Sequence, residues 1–311
     1  MERRNFTKIY EFILVGFSDV LQVQDVLFTV FFCTLNISLL AHMFIILLYT
    51  FSPNLHTPMY FFLANFSLIE ICYLSTIVPK MLINLLSQHK TITFYGCAIQ
   101  MCCFLLLGSA ECYMLAAMAY DRYNAICHPL LYNNIMKRVI CIMLVIGSWL
   151  TGTIVGILQT VLIFSLPFCD SNRINNFYCD IPPLMSLACT ETQFNQIVML
   201  IITFVIILGP FTLTVISYGN IIWTIIKHHS AGMRKKAFST CTSHLIVVSL
   251  FYGSSSIMYL RPRSNYGKNE EKFLSLIYTI FAPLVNPFIY SLRNNDVKNA
   301  VKMLVVKFKI Q

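Results

Sequence analysis

The stretch AIQMCCFLLLGSAECYMLAAMAY, residues 98–120, is almost unbroken apolar sequence, and it runs straight into Asp121-Arg122. A bilayer span takes about 20 such residues. In lipid, the backbone polar groups must be satisfied within the segment, so the stretch reads as a helix. A barrel strand would instead alternate over about ten residues. Arginine is costly beside lipid and must face a partner or water. The stretch therefore reads as a membrane helix that ends at a polar mouth.

The rest of the chain repeats the pattern. Further apolar runs cover 26–51, 59–78, 139–164, 197–223, 244–260 and 273–292, the sixth starting a turn or two earlier than its apolar core. The 311 residues are 57% hydrophobic and only 11% charged, whereas soluble chains carry roughly 25% charged residues. The expected fold class is all-α: a seven-transmembrane helix bundle with a short amphipathic helix after helix seven. Residues 1–25 read as an extracellular N-terminus, 26–292 as the bundle and 293–311 as a cytoplasmic tail. In that tail Val297, Val301, Leu304 and Phe308 share one face, as on a helix lying at the inner leaflet.

Seven spans put the two ends on opposite sides. Asn5-Phe6-Thr7 is a glycosylation sequon and places the N-terminus outside, whereas the sequons at Asn36 and Asn65 fall within spans. Of the 22 Lys and Arg, 12 then lie inside and 10 outside, the direction expected from the positive-inside rule. Lys227, Arg234, Lys235 and Lys236 cluster in the third inner loop, so the net charge of +9 reads as a basic face toward the membrane lipid; no extended basic tract points to nucleic acid.

Most of the 12 cysteines sit within spans, where the thiol acts as a small apolar group. Cys97, Cys169, Cys179 and Cys189 lie outside the spans, where an oxidising medium favours disulfides. Four cysteines allow three pairings, and spacing alone does not choose among them.

The finer motifs resemble one family. LHTPMYFF (55–62), MAYDRYNAICHPL (118–130), Ser217-Tyr218, KAFSTCTSHL (236–245) and NPFIYSLRN (286–294) are similar to those of vertebrate olfactory receptors of the terrestrial-type class, within the rhodopsin-like G-protein-coupled receptors. They run in order over nearly the whole chain. The resemblance implies the pairs Cys97–Cys179 and Cys169–Cys189. It implies a plasma-membrane odorant receptor coupled to a heterotrimeric stimulatory, olfactory-type G protein that raises cyclic AMP, with trafficking chaperones as further partners. It implies no catalytic residues and no cofactor.

Phe104, Gly108, Glu111, Leu115, Met118 and Arg122 step along one face of the third helix, over about 27 Å at 1.5 Å per residue. One stripe thus reaches a pocket, a mid-membrane site and the inner surface. Asp121 is the expected resting partner of Arg122; Tyr123, Tyr218, His244, Asn286, Pro287 and Tyr290 complete the switch that the family implies. Glu70 and Glu111 are acids at mid-span, where an unpaired charge costs at least about 2.5–3.5 kcal/mol. They are expected to be protonated, or to share a proton or a sodium ion. The family's Gly-Asn in helix one is replaced here by Ala41-His42, and His42 is expected either to pair with one of these acids or, as a neutral ring, to keep the asparagine's hydrogen bonds. Asn124 stands in place of a common Val, and Ala282 in place of a common Thr.

On family geometry the ligand pocket takes Phe104, Leu105, Gly108, Ser109 and Cys112 from helix three and Met199, Ile202, Thr203 and Ile206 from helix five. Helix six adds Tyr252, Ser255, Ser256 and Tyr259, and helix seven adds Leu276 and Thr279. No acid stands at the outer face of helix three, so the expected ligand is a small, neutral, volatile molecule. A short N-terminus argues against a peptide ligand. A transporter would show inverted repeats, and an enzyme a nucleophile motif; the sequence has neither.

Overall fold

The computed structural model describes residues 9–16, 21–169, 171–228, 231–260, 272, 274–292 and 297–303. Seven helices are long and apolar enough to cross a membrane: Val23–Phe51, Pro58–Leu86, Phe94–Cys127, Arg138–Phe164, Gln193–Lys227, Cys241–Met258 and Leu274–Ser291. They are called helices one to seven below. The first helix begins at Leu21 rather than at 26, and the sixth extends back to Ala231. The second passes through Pro79 and continues to Leu86, eight residues beyond the expected end. A proline in mid-helix removes one hydrogen bond and kinks the helix without necessarily ending it.

Helix three is the axis of the bundle. Thr93 caps it, its side chain accepting from the Gly96 amide at 3.1 Å. Phe104, Glu111, Leu115 and Met118 of its stripe are all buried. Helix four lies close against it because Gly152 and Gly156 share one face. A Cβ on Gly152 would collide with the Leu106 carbonyl oxygen, and one on Gly156 would come within 2.7 Å of the Cys102 carbonyl oxygen. Lipid provides no hydrophobic drive between spans, so small residues that let two backbones approach are what hold such a pair.

Helices five and seven each contain a π turn, Phe204–Leu208 and Ile277–Phe281, and each turn ends two residues before a proline, Pro210 and Pro283. Proline has no N–H to offer the carbonyl four residues back. The wider turn rearranges the local ladder, as in the Ala282 amide donating to the Ile277 carbonyl.

The segment before helix one is structured too. Strands β1 (Glu11–Leu14), β2 (Thr91–Thr93) and β3 (Arg173–Ile174) form a sheet in the order β2-β1-β3, with Phe12 opposite Ile92 and Leu14 opposite Ile174. Alternation along β1 buries Phe12 and Leu14 while Glu11 stays exposed. These side chains join Ile92, Cys97, Met101, Ile174, Cys179 and Leu184 in a core separate from that of the bundle. The disulfides Cys97–Cys179 and Cys169–Cys189 are those the family resemblance implied, and the first pins the long loop to the start of helix three. Lys272 donates from Nζ to the Gly16 carbonyl at 2.9 Å, tying the strand segment to the start of helix seven. This sheet end contrasts with the Arg122 end, where only a short helix, Tyr132–Ile135, links helices three and four.

In the tail, residues 297–303 are helical, with Val297 and Ala300 buried and Val301 half-buried. Val297 packs near Leu48, Leu55 and Tyr60. Leu304 and Phe308 lie outside the described residues, as does Asn5.

Candidate functional site

A cavity opens in the half of the bundle nearer the sheet. It is lined by Phe104, Leu105, Gly108, Ser109 and Cys112 of helix three, Met199, Ile202, Thr203 and Ile206 of helix five, and Ser255 of helix six, all expected there. Val155 and Gln159 of helix four, Ile181 of the long loop, Ile207, Phe251 and Tyr278 also line it. Sequence reasoning left helix four out altogether, although a lone Gln159 in the apolar run GTIVGILQTVLIF was a legible signal. Ile206, Ile207 and Tyr278 come from the two π turns, so the distortions forced near Pro210 and Pro283 shape the cavity wall.

Four expected lining residues stand elsewhere. Tyr252 is buried and donates from its hydroxyl to the Cys112 carbonyl at 2.8 Å, joining helix six to helix three behind the cavity. Thr279 is buried and donates to the Ser275 carbonyl within its own helix. Ser256 and Leu276 are partly buried without lining the space. The side chain of Tyr259 lies outside the described residues.

The cavity measures about 60 Å³. One water needs roughly 10–15 Å³ on this measure, so the space suits a molecule of a handful of heavy atoms. Among the described residues, no Asp, Glu, Lys or Arg lines it. Behind its Phe104 wall, Tyr178 of the long loop sets its ring 4.9 Å from that of Phe104, and its hydroxyl accepts from Ser275 at 3.0 Å. Burial, with Asp180 nearby, pushes the Tyr178 hydroxyl well above the usual phenol range, so it stays neutral.

Beneath the cavity lies a polar core. Asn286 donates from Nδ2 to Glu70 Oε1, joining helices seven and two. The Glu111 carboxyl faces that of Glu70. Ser67 Oγ, Glu70 Oε2 and Asn286 Oδ1 are buried and make no hydrogen bond among the described residues. Unpartnered oxygens beside two acids fit a shared proton or a small cation.

His42 does not reach either acid. Its Nε2 donates to the Pro283 carbonyl at 3.0 Å, and Ser38 donates to the same oxygen at 3.2 Å. Pro287, four residues further on, has no N–H for that carbonyl. The ring thus satisfies a group orphaned by the proline. Asn124 is buried and donates to the Tyr120 carbonyl within its own helix, so its amide is absorbed locally. Ala282 is buried where helix seven leaves its π turn.

At the Arg122 end the expected Asp121–Arg122 pair is replaced. Asp121 is buried and accepts from the Tyr132 hydroxyl at 2.8 Å, because the short helix sets that phenol beneath helix three. Arg122 makes no hydrogen bond or ion pair among the described residues; its charge bears on Tyr218, Cys241, His244 and Tyr290 as well as on Asp121 and Tyr132. Tyr218 and His244 are joined at 2.8 Å between the hydroxyl and Nδ1, linking helices five and six. Tyr123 turns away to His128, at 3.1 Å. The Tyr290 hydroxyl is buried without a hydrogen bond, with its ring 6.4 Å from that of His244. His244 Nε2, the Tyr290 hydroxyl and Arg122 are thus left without a hydrogen bond among the described residues where helices three, five, six and seven meet.

The chain matches the family model described as olfactory receptor over residues 31–307. It is 47% identical over 307 residues to olfactory receptor 10A7 of Homo sapiens, covering 99% of this chain and 97% of that one. It is 48% identical to olfactory receptor 10AG1 of Homo sapiens over 297 residues, covering 96% and 99%. To olfactory receptor 5AR1 of Mus musculus it is 44% identical over 307 residues, covering 99% of each chain.

Proposed function

Since the chain belongs to the olfactory receptor family, we propose that it binds small, neutral, volatile organic molecules in the cavity beside helix three and passes the signal to a stimulatory, olfactory-type G protein that raises cyclic AMP. It is a multi-pass membrane protein, an odorant receptor of the G-protein-coupled type. The sheet end faces the outside of the plasma membrane in this reading, and the Arg122 end faces the cytoplasm and the G protein.

The observation that carries the proposal is the cavity: small, apolar, free of charged side chains, and roofed by a sheet and two disulfides. A peptide does not fit such a space, and an amine would find no counter-ion in it. Below it, Glu70, Glu111, Asn286 and Ser67 are the residues to hold a proton or a sodium ion, which would favour the resting packing of helices two, three and seven. Glu111→Gln should then change basal cyclic AMP, and an unaltered basal and evoked signal would remove that part of the proposal.

The pocket itself is tested by Gly108→Val. A Cβ at this position meets the Tyr278 hydroxyl at 3.0 Å, so the added methyls occupy the cavity. In cells expressing the chain with an olfactory-type stimulatory G protein and trafficking helpers, pooled small neutral odorants should raise cyclic AMP. The variant should lose that response at equal surface level. A full response in the variant would move the binding site elsewhere.

A further inference from the structure

Three polar side chains on the cavity wall stand out for their lack of a side-chain hydrogen bond among the described residues. Gln159 of helix four is 5% exposed, Ser109 of helix three 6% and Thr203 of helix five 8%. All three line the cavity, and none makes a side-chain hydrogen bond among the described residues. This sets them apart from the other wall hydroxyls. Ser255 spends its proton on the Phe251 carbonyl at 2.7 Å, and the Tyr278 hydroxyl faces that of Tyr73. The polar atoms of these three are open to the cavity rather than sealed in the packing, so a molecule in the cavity is what would meet them. A carboxamide offers two N–H donors and one carbonyl acceptor, and a hydroxyl offers one donor and two acceptor sites. A ligand group that accepts and donates at once can answer both halves of the Gln159 amide; one that only accepts leaves its carbonyl unmatched.

We infer that Gln159, backed by Ser109 and Thr203, makes this receptor select small molecules carrying a hydroxyl group over the ketone, hydrocarbon or carboxylate of the same skeleton. The inference rests on the reading of the cavity as the odorant site and adds the chemical class that the site takes. A ketone satisfies only the amide's N–H, and a hydrocarbon satisfies nothing. A carboxylate would lose its hydration to a wall that holds no Lys or Arg. Discrimination of this kind is strong where a site is built around a polar group, because the wrong ligand leaves the protein's own groups unpaired.

The test uses n-butanol and n-hexanol, their matched methyl ketones, alkanes and carboxylates. Two readouts are taken: thermal stabilisation of the purified, detergent-solubilised receptor, and cyclic AMP in cells. The alcohols should stabilise most, then the ketones, with alkanes and carboxylates last. Gln159→Leu, of similar volume and apolar, should weaken the alcohols by roughly tenfold to a hundredfold while leaving the alkanes unchanged. Ser109→Ala and Thr203→Val should each erode the alcohol preference by a smaller factor, and they decide the matter if Gln159→Leu does not fold. Equal stabilisation by all four classes, an alcohol preference untouched in the variants, or no stabilisation by either alcohol would each overturn the inference. Stabilisation without cyclic AMP would leave it standing and remove the coupling part of the proposed function instead.

Discussion

The two ends of this bundle are held together by different means. At the sheet end two disulfides, a three-stranded sheet and the Lys272–Gly16 contact fasten the strand segment, the long loop and the starts of helices three and seven. At the Arg122 end the polar links are single hydrogen bonds, Tyr218 to His244, Tyr132 to Asp121 and the weaker Cys127 to Thr224, beside a small apolar cluster of Ala119, Tyr218, Ile221, Ile225 and Cys241, with Arg122 itself unpaired among the described residues. Covalent staples and interdigitated side chains resist rearrangement, whereas one hydrogen bond contributes only about 0.5–1.5 kcal/mol net. A molecule that keeps its cavity fixed and its far end loosely latched can turn a small event in the cavity into a large one at the latch.

Breaking the staple should have the largest effect. Cys97→Ser removes the bond that pins the long loop to helix three, and losing a native disulfide costs about 2–5 kcal/mol in small secreted domains. Surface level, read by antibody on intact cells, should collapse; normal surface level with normal response would show that the sheet holds the roof by itself. Next comes the seam between helices three and four. Gly152→Val drives methyls into the Leu106 carbonyl, whereas Gly147→Val, five residues earlier in the same helix, meets nothing within 4 Å. Overpacking costs typically about 1–3 kcal/mol, so the first variant should lose most of its surface expression and the second none. Equal behaviour of the two would dissolve the distinction.

At the latch the effects should be smaller and of another kind. Tyr218→Phe removes the partner of the buried His244 Nδ1, at about 1–3 kcal/mol. Folding should survive, and basal cyclic AMP should rise several-fold as the contact between helices five and six loosens. Tyr132→Phe releases Asp121 and should raise basal activity less, because Asp121 lies beside the Arg122 charge and can turn to it. A fall in surface level from either variant, with basal signal unchanged, would make the Arg122 end structural like the other.

The sequence made one of these regions far more legible than the other. Spans, cysteines and the stripe on helix three could be read because lipid allows few solutions and because helical spacing puts Phe104, Glu111 and Arg122 on one face. The part of the cavity wall on helices three and five followed from the family resemblance. Helix four was missed because its one carboxamide, Gln159, stands in a mostly apolar run, and its importance comes from Gly152 and Gly156, whose role appears only when the Leu106 and Cys102 carbonyls lie against them. The strand Glu11–Leu14 is too short to announce itself, and its burial depends on Ile92 and Ile174, far away in sequence. The π turns could have been suspected from Pro210 and Pro283, yet which residues they turn into the cavity is a matter of packing. Adjacency misled at Asp121 and Arg122: neighbours on a helix point in different directions, and Tyr132, eleven residues away, reaches the carboxylate instead.

The account stands or falls on whether an event in the cavity is delivered through Arg122. The most direct measurement is odorant-evoked cyclic AMP in the wild-type chain and in Arg122→Ala, both matched for surface level, with pooled small neutral odorants and an olfactory-type stimulatory G protein. A response present in the wild type and abolished in the variant is the predicted result. A response of equal size in the variant would contradict it, placing the coupling surface somewhere other than the mouth where helices three, five, six and seven meet.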